Sequence, residues 1–547
     1  MSDQRYDAAP TVGAGQPPRA GYVPRRANMV RDGVAVVLLV LALLLPWNLD
    51  FGLGAFGNNA TLWAVVVVAT LLAISAVVDA YVGKLRLANP DLDVRMLSRV
   101  RLIVCLPYFV TAIGFVGYHL AETVQDGGTG LVPPGVGPGL IVGLAGALLA
   151  AQPPITSITL EDNRFRRWYA AARFLGAVSI GLATLAVGWN LYWRLRYLFV
   201  ADAEFGGQDI AVIVTTLLYG AVALTAVIIA SRWLLEKSAA ARLAVTALGG
   251  SAAVATTLVW ILPVGRDVDA FHGIAQNTST AAIGYEGYLF WAAAAAIVAP
   301  TTLYAVFQIQ PPTLGAYRSA AQKCLTLIAF WAFAAATCRV ADFVIAWSLD
   351  LPRALYDTVA MAVFNLVTGF IAWWLHRWLA RGDATAPVIA AFSAALTAFT
   401  VANLAIGVAL APRYAEAPPN AIYGNNLAQQ ITSTFDVVVC LLSLTVLVAM
   451  LFTGPLAGFF ARRRNARPAT PPPPPPQPEP PTAMVPPPLP RIARRPQENT
   501  TVIPAPPTQQ IAAPTEALRI QRREPSTQAI TPPDDSPPTT AYRRPPG

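Results

Sequence analysis

The sequence predicts an all-α protein, a polytopic transmembrane helical bundle of about twelve spans between two polar tails. Apolar stretches of about twenty residues recur from Gly33 to Phe460, and a helix that crosses a bilayer needs roughly 20 such residues. Hydrophobic residues make up 55% of the 547-residue chain and charged residues 13%, with a mean hydropathy of +0.49. Soluble domains carry roughly 25% charged residues. This composition predicts an integral membrane protein.

In chain order, the elements are a tail at residues 1–31, a membrane domain at 32–461 and a second tail at 462–547. The first tail is polar and contains prolines, which predicts disorder and no cleavable signal peptide. Glycines at the start of the fourth span indicate close helix packing rather than nucleotide binding. The apolar runs predict spans at 32–49, 61–82, 102–123, 138–155, 172–193, 210–231, 243–263, 286–307, 324–348, 354–376, 385–411 and 434–460.

Basic residues predict the orientation of these spans, because loops rich in Lys and Arg stay on the cytoplasmic side. Twelve spans place both tails there and leave few basic residues outside, which predicts a multi-pass protein of the plasma membrane. The net charge of +9 follows largely from this bias and from the basic tail, so it requires no nucleic acid. The residues predicted inside include Arg25, Arg26, Arg31, Lys84, Arg86, Arg95, Arg99, Arg101, Arg164, Arg166, Arg167, Arg173, Arg462, Arg463 and Arg464, against Arg194, Arg196, Arg266, Arg353 and Arg413 outside.

Short motifs recur at intervals of about 140–160 residues and indicate three four-helix repeats, at 32–155, 172–310 and 324–460. An alternative is that Trp, Pro and Arg are common wherever helices meet the membrane surface. A six-plus-six duplication, as in many transporters, is supported by one pair of segments, Leu45-Pro46 and Leu262-Pro263. The motif pairs are Trp47-Asn48-Leu49, Trp189-Asn190-Leu191 and Trp347-Ser348-Leu349; Gln152-Pro153-Pro154 and Gln310-Pro311-Pro312; Arg232-Trp233-Leu234 and Arg377-Trp378-Leu379; and Thr278-Ser279-Thr280 and Thr432-Ser433-Thr434.

Polar residues inside spans are candidates for function, because an ionisable group costs roughly 2.5–3.5 kcal/mol at the membrane centre. They concentrate at one depth in the outer half of spans 9–12. The first four-helix unit is expected to be nearly free of internal charge, with Asp79, His119 and Glu122 at its helix ends. This pattern predicts a polar cavity for a polar or ionic ligand. The alternative is a self-neutralising pair plus interhelical hydrogen bonds that hold the bundle together. The six residues are Arg339, Asp342, Asp357, Asn365, Asn403 and Asp436.

The tail after Arg467 is rich in proline and is expected to be extended and disordered. Three of its elements place an aliphatic residue three positions after a threonine, which resembles the phosphothreonine ligand of forkhead-associated domains. Proline runs also suit domains that bind polyproline. The alternative is a solvated low-complexity tail that only fills space. The candidate phosphorylation sites are Thr500, Thr501, Thr515 and Thr527.

Enzyme signatures are scarce, so we expect no enzyme, no cofactor and no metal. The three histidines have no spacing typical of metal ligands, and neither a phosphate-binding glycine loop nor a serine elbow occurs. Four cysteines lie in predicted spans without a CxxC pair, which predicts small packing residues rather than reactive thiols. They are Cys105, Cys324, Cys338 and Cys440.

The segments Leu43-Leu44-Leu45-Pro46-Trp47-Asn48-Leu49-Asp50-Phe51-Gly52 and Leu131-Val132-Pro133-Pro134-Gly135-Val136-Gly137-Pro138-Gly139, with the basic proline-rich tail, resemble a family of actinobacterial, mainly mycobacterial, polytopic membrane proteins of unassigned function. The resemblance covers residues 30–460 and implies the plasma membrane of an envelope-rich bacterium, with no catalytic residues to carry over.

The sequence leaves two candidate functions for this protein. One is a non-enzymatic envelope protein whose cytoplasmic tail recruits partners, under regulation by phosphorylation. The other is a secondary transporter or lipid-handling permease that uses the polar residues of spans 9–12.

Overall fold

The fold is all-α, as predicted, and twelve helices occupy the described part of the chain. The computed structural model describes residues 25–45, 47–49, 60–82, 94–125, 135–155, 165–195, 206–261, 285–307, 312–350, 355–382, 384–410 and 434–453. The helices are α1 (Arg25–Leu44), α2 (Ala60–Val82), α3 (Val94–Gln125), α4 (Pro138–Ala151), α5 (Phe165–Leu195), α6 (Gly207–Leu235), α7 (Ala239–Ile261), α8 (Tyr285–Val306), α9 (Leu314–Ser348), α10 (Leu355–Arg381), α11 (Ala386–Leu410) and α12 (Thr434–Thr453).

Each predicted span overlaps one of these helices, but several helix ends differ from the apolar runs. Helix α1 begins at Arg25 rather than at residue 32, because Arg31 finds buried polar partners and need not remain in solvent. Helix α4 ends at Ala151 rather than at residue 155, because Gln152 is extended and two prolines follow it, and proline disfavours a helical residue before it. Residues 454–460 of the last predicted span lie outside the described residues.

Ten described helices are long and apolar enough to cross a membrane. Many of their large apolar side chains face outward, including Phe174 and Ile113, as expected for surfaces in contact with lipid. Two apolar helices are shorter, Pro138–Ala151 and the segment Trp291–Tyr304 within α8. The 14 residues of α4 extend only about 21 Å at 1.5 Å per residue, against the roughly 30 Å of the hydrocarbon core.

Helix α4 is an interior helix that packs on α1, α2, α3, α7 and α8. Twelve of its fourteen residues are buried, so protein surrounds it on all sides. Two glycines allow α1 to approach closely: a Cβ at Gly143 would lie 2.8 Å from the Ala42 Cβ, and one at Gly146 would lie 3.1 Å from the Ala35 carbonyl oxygen. The glycines therefore serve close packing, as expected.

Two short strands precede α4. Strand β1 (Asn48–Leu49) pairs antiparallel with β2 (Gly135–Val136), and the Gly137 amide donates to the Trp47 carbonyl at 2.7 Å. The Trp47 ring is buried against Phe115, with ring centroids 5.6 Å apart, and its indole N–H donates to the Ala42 carbonyl at 3.0 Å. This pairing connects the end of α1 to the start of α4.

Packing groups the helices in consecutive fours. Within α1–α4, within α5–α8 and within α9–α12, the first helix packs on the second, the second on the third, the third on the fourth and the fourth on the first. This common ring supports the three-repeat prediction. The repeated tryptophans do not, because Trp47 is buried and Trp347 is largely exposed. The repeat stays a prediction.

The chain forms two units by contact, Met1–Ala469 and Thr470–Gly547. Most of the second tail, with Thr500, Thr501, Thr515 and Thr527, lies in the second unit and outside the described residues. Three of the cysteines are buried, Cys440 is half-buried, and all four are free thiols in helices.

Candidate functional site

The structure buries both ionisable residues predicted on the ninth span. Arg339 and Asp342 lie three residues apart on α9, with 4% and 9% of their surfaces exposed. The Asp342 carboxylate accepts a hydrogen bond from the Tyr219 hydroxyl, whose oxygen lies 2.7 Å from each of the two carboxylate oxygens. Tyr219 belongs to α6 and is itself buried. The site therefore extends beyond spans 9–12 to a helix of the second four-helix group, α5–α8.

Asp436 joins this site from the first turn of α12. Its carboxylate accepts a hydrogen bond from the indole N–H of Trp331 on α9 at 2.8 Å, and the neighbouring Phe435 ring packs edge-on against Trp331 with centroids 4.5 Å apart. The Arg339 guanidinium is attracted by the charge of Asp436 and also interacts with Tyr219 and Asp342. We call Tyr219, Arg339, Asp342 and Asp436 the α6–α9–α12 site.

The two predicted asparagines meet each other. The Asn403 amide on α11 donates to the Asn365 side-chain oxygen on α10 at 2.9 Å, and the Asn365 side chain is buried. The Asn403 side-chain oxygen is buried and has no hydrogen-bond partner among the described residues. The predicted cavity residues thus include an interhelical amide pair as well as the charged site. The side chain of Asp357 lies outside the described residues.

The charges of the α6–α9–α12 site do not cancel. The site contains one guanidinium and two carboxylates, so its four residues carry one excess negative charge when all three of these groups are ionised. Tyr219 has a single O–H proton to share between the two oxygens of Asp342. A proton or a cationic group would neutralise the excess charge, and such a buried ionisable group is a candidate element of a proton or ion pathway.

A second buried ionic cluster lies in the first helix unit. Asp32 on α1 is bound by two arginines, with its Oδ1 2.7 Å from an Arg31 Nη and its Oδ2 2.8 Å from an Arg101 Nη on α3. All three side chains are no more than 2% exposed. This cluster contradicts the expectation that the first unit is nearly free of internal charge. Asp79, His119 and Glu122, the residues expected at its helix ends, have side chains outside the described set.

The segment that follows α4 forms hydrogen bonds with this cluster. Arg31 donates to the Pro153 carbonyl at 2.6 Å, and Arg101 reaches the Gln152 carbonyl at 3.5 Å. Asn28 exchanges two hydrogen bonds of 2.9 Å with the backbone of Ile155. The Gln152 amide donates to the Ala296 carbonyl on α8. The Gln-Pro-Pro motif therefore connects α1, α3 and α8, and its carbonyls accept hydrogen bonds from the two arginines.

Sequence reasoning missed the residues that complete both sites. Arg31 and Arg101 were counted as markers of orientation, and Asp32 was not singled out although it opens the first predicted span. An acidic residue beside an arginine at the start of an apolar run was the available signal. Tyr219 carries no such signal, because a tyrosine in a span is ordinary and its partner lies 123 residues away.

No group of three or more His, Cys, Asp or Glu side chains is arranged to hold a metal ion in the described part of the chain. No curated protein and no solved structure matches the chain. A family model does match, over residues 28–455, and its description is a domain of unknown function, DUF7937. That range contains the described helices from the first turn of α1 to the end of α12, and thus both buried ionic sites. The chain belongs to the DUF7937 family.

Proposed function

We propose that this membrane-spanning protein is a secondary permease that binds a proton or a cationic polar group at the α6–α9–α12 site. The observation that carries the proposal is the buried Asp342 carboxylate, which shares the Tyr219 hydroxyl across two helices at 2.7 Å. A lipid with a cationic headgroup would satisfy the same chemistry. The proposed role includes no catalysis.

The neighbouring helices argue against a packing role alone. Neutral side chains supply interhelical hydrogen bonds nearby, through the Asn365–Asn403 pair and through Thr400 and Ser443, whose hydroxyls lie 2.9 Å apart. Such bonds stabilise membrane bundles by roughly 0.6–2 kcal/mol. An ionisable side chain at the same task costs roughly 2.5–3.5 kcal/mol. Neutral hydrogen bonds join helices at a lower cost, so the buried charged groups indicate a role in binding an ion or a proton.

The proposal is tested by proton flux into proteoliposomes. Purified protein is reconstituted, a potassium diffusion potential is imposed, and internal pH is followed with a trapped dye. We expect the unmodified protein to admit protons, and Asp342→Asn to reduce the rate at least about tenfold, because the amide cannot take up a proton. Thr400→Val, which removes a neutral interhelical bond, is expected to retain the rate within about twofold, since such bonds contribute little. Equal rates for the unmodified protein and Asp342→Asn would refute the role of Asp342.

The second candidate function is recruitment of partners by the tail. It is supported by three threonine elements within thirty residues, Thr500-Thr501-Val502-Ile503, Thr515-Glu516-Ala517-Leu518 and Thr527-Gln528-Ala529-Ile530. Phosphorylation there would add about two negative charges and three acceptor oxygens per site, which arginine clusters and backbone donors bind. The proposed partners are forkhead-associated or polyproline-binding proteins in the cytoplasm. The proposed location is the plasma membrane of an actinobacterium, with both termini cytoplasmic.

Affinity capture distinguishes the two functions. The full chain and a chain ending at Arg467 are purified from native membranes, with phosphosite mapping on the full chain. Tail-dependent capture of a forkhead-associated protein, lost in a variant with Thr500, Thr501, Thr515 and Thr527 all changed to Ala, would support recruitment. Identical captured sets and unmodified threonines would refute it and leave the permease proposal as it stands.

A further inference from the structure

A pocket with a basic wall lies among α5, α6, α7 and α8, where α6 ends and α7 begins. It is a small pocket that is partly open to its surroundings. Its floor is apolar and is formed by buried side chains such as Trp233, Leu234 and Val298. Its wall carries Arg173 and Arg242. None of these residues belongs to the site of the proposed permease.

The wall has an excess of positive charge. Lys237 also lines the pocket, and the acidic residue that lines it is Glu236. The Glu236 carboxylate pairs with Lys323 of α9 at 2.7 Å, so its charge is already balanced from outside the pocket. Arg173 and Arg242 therefore give this wall an excess of positive charge. An anion is the ligand that this wall favours.

Arg242 is held in position for such an anion. Its guanidinium carbon lies 4.0 Å from the centroid of the Tyr169 ring, and the Tyr169 hydroxyl lies 3.2 Å from the hydroxyl of Thr301 on α8. Stacking on an aromatic face occupies the face of the guanidinium and keeps its N–H donors in the plane. A planar donor edge of this kind suits the paired oxygens of a phosphate.

The pocket lies at helix ends, which is the level of lipid headgroups. Trp233 and Leu234 are in the last turn of α6 and Arg242 is in the first turn of α7, on the side that the basic residues predict to be cytoplasmic. Phe174, which follows Arg173 on α5, is exposed and presents an apolar side chain at the same level of the bundle. Basic pockets between transmembrane helices on that side are typical binding sites for anionic headgroups.

We propose that this pocket binds the phosphate group of an anionic glycerophospholipid. The phosphate would contact Arg173 and Arg242, and the acyl chains would cover the apolar surface at Phe174. A soluble phosphate compound shares the headgroup chemistry but not the need for that apolar surface.

Native mass spectrometry of the purified full chain tests the proposal. Delipidated protein in non-ionic detergent is titrated with dioleoylphosphatidylglycerol and with dioleoylphosphatidylcholine. We expect tighter binding of phosphatidylglycerol, and about tenfold weaker binding by the double variant Arg173→Gln and Arg242→Gln, as the loss of charge-assisted hydrogen bonds predicts. Arg232→Gln is the matched control, because Arg232 is an exposed residue of the same helix end outside the pocket.

Each outcome decides the proposal. Equal binding of the two lipids, or an equal loss in Arg232→Gln, would overturn it, because charge alone would then explain the binding. Competition by glycerol phosphate at the concentrations at which the lipid binds would keep the phosphate site and overturn its lipid source. Thermal unfolding without lipid monitors the folding of the variants. Arg173→Gln alone provides the second variant, since Arg242 also packs on Tyr169.

Discussion

Asp32 forms ion pairs with two buried arginines, one on α1 and one on α3, and this role depends on distance in space rather than in sequence. The apolar pattern predicts where α1 and α3 lie, and an inventory of charges finds Arg31 and Arg101. Neither shows that a carboxylate 69 positions before Arg101 lies 2.8 Å from it. The same holds for Tyr219 and Asp342. The polar residues of α9 could be predicted because they interrupt an apolar run. Their partners on other helices could not be predicted.

We predict that Asp32→Asn lowers the free energy of unfolding by about 3–5 kcal/mol, because it leaves two guanidinium groups buried with one carboxylate fewer to balance them. The control is Lys323→Gln, which breaks the exposed pair with Glu236 and is expected to cost about 1 kcal/mol or less. Chemical denaturation in detergent micelles measures both. Equal losses in the two variants would show that hydrogen bonds to carbonyl groups, not the pairing with Asp32, stabilise the buried arginines.

At the scale of elements, hydropathy predicts the helices well because the bilayer requires long apolar runs. It predicts their ends less well. Helix α9 begins at Leu314, ten residues before its predicted span, because Thr313 caps it: its hydroxyl accepts from the Ala316 amide at 3.2 Å. A capped helix continues past the membrane surface, and hydropathy does not detect this extension. Helix α4 is the opposite case, since its apolar run continues into a Gln-Pro-Pro stop.

The contact between α7 and α8 depends on one of two adjacent glycines. A Cβ at Gly249 would overlap the Ala295 side chain and lie 2.5 Å from the Trp291 carbonyl oxygen, whereas a Cβ at Gly250 would meet nothing within 4 Å. We predict that Gly249→Ala destabilises the protein by about 1–3 kcal/mol through overpacking. Gly250→Ala is expected to be neutral or to stabilise by up to about 1 kcal/mol through helix propensity. Thermal unfolding compares the two, and a similar loss in both would contradict the close approach.

At the scale of the whole molecule, the second helix unit is the centre of the membrane domain. Helix α8 packs on α4 and α1 of the first unit, and α6 and α7 pack on α9 or α12 of the third. The proposed permease site and the proposed lipid site both use α6, the first through Tyr219 and the second through Trp233. The sequence motifs indicated three units but gave no order of packing, because repeats record similarity and not contact.

The tail should be dispensable for this packing. Residues 470–547 are rich in proline and short of large apolar side chains, so a tail of this composition buries little surface. We therefore predict that ending the chain at Arg467 changes the midpoint of thermal unfolding by less than ~2 °C, a shift that corresponds to less than about 2 kcal/mol in a protein of this size. A chain ending at Leu410 removes α12, which packs on α7, α9 and α11, and should not yield a stably folded protein. Scanning fluorimetry in detergent measures both. A large shift on loss of the tail alone would show that the tail packs on the membrane domain.

The enclosure of α4 has a consequence for how the protein is made. Helices α7 and α8 cover part of α4, and α8 accepts the Gln152 hydrogen bond. Both helices leave the ribosome about ninety to one hundred and fifty residues after α4. A helix of 14 residues cannot wait as a stable span in lipid, since it is too short for the hydrocarbon core. During synthesis, α4 must therefore pack against α1 and α3 until α7 and α8 have been translated and cover its remaining side. Chains interrupted before α7 would leave this side of α4 uncovered.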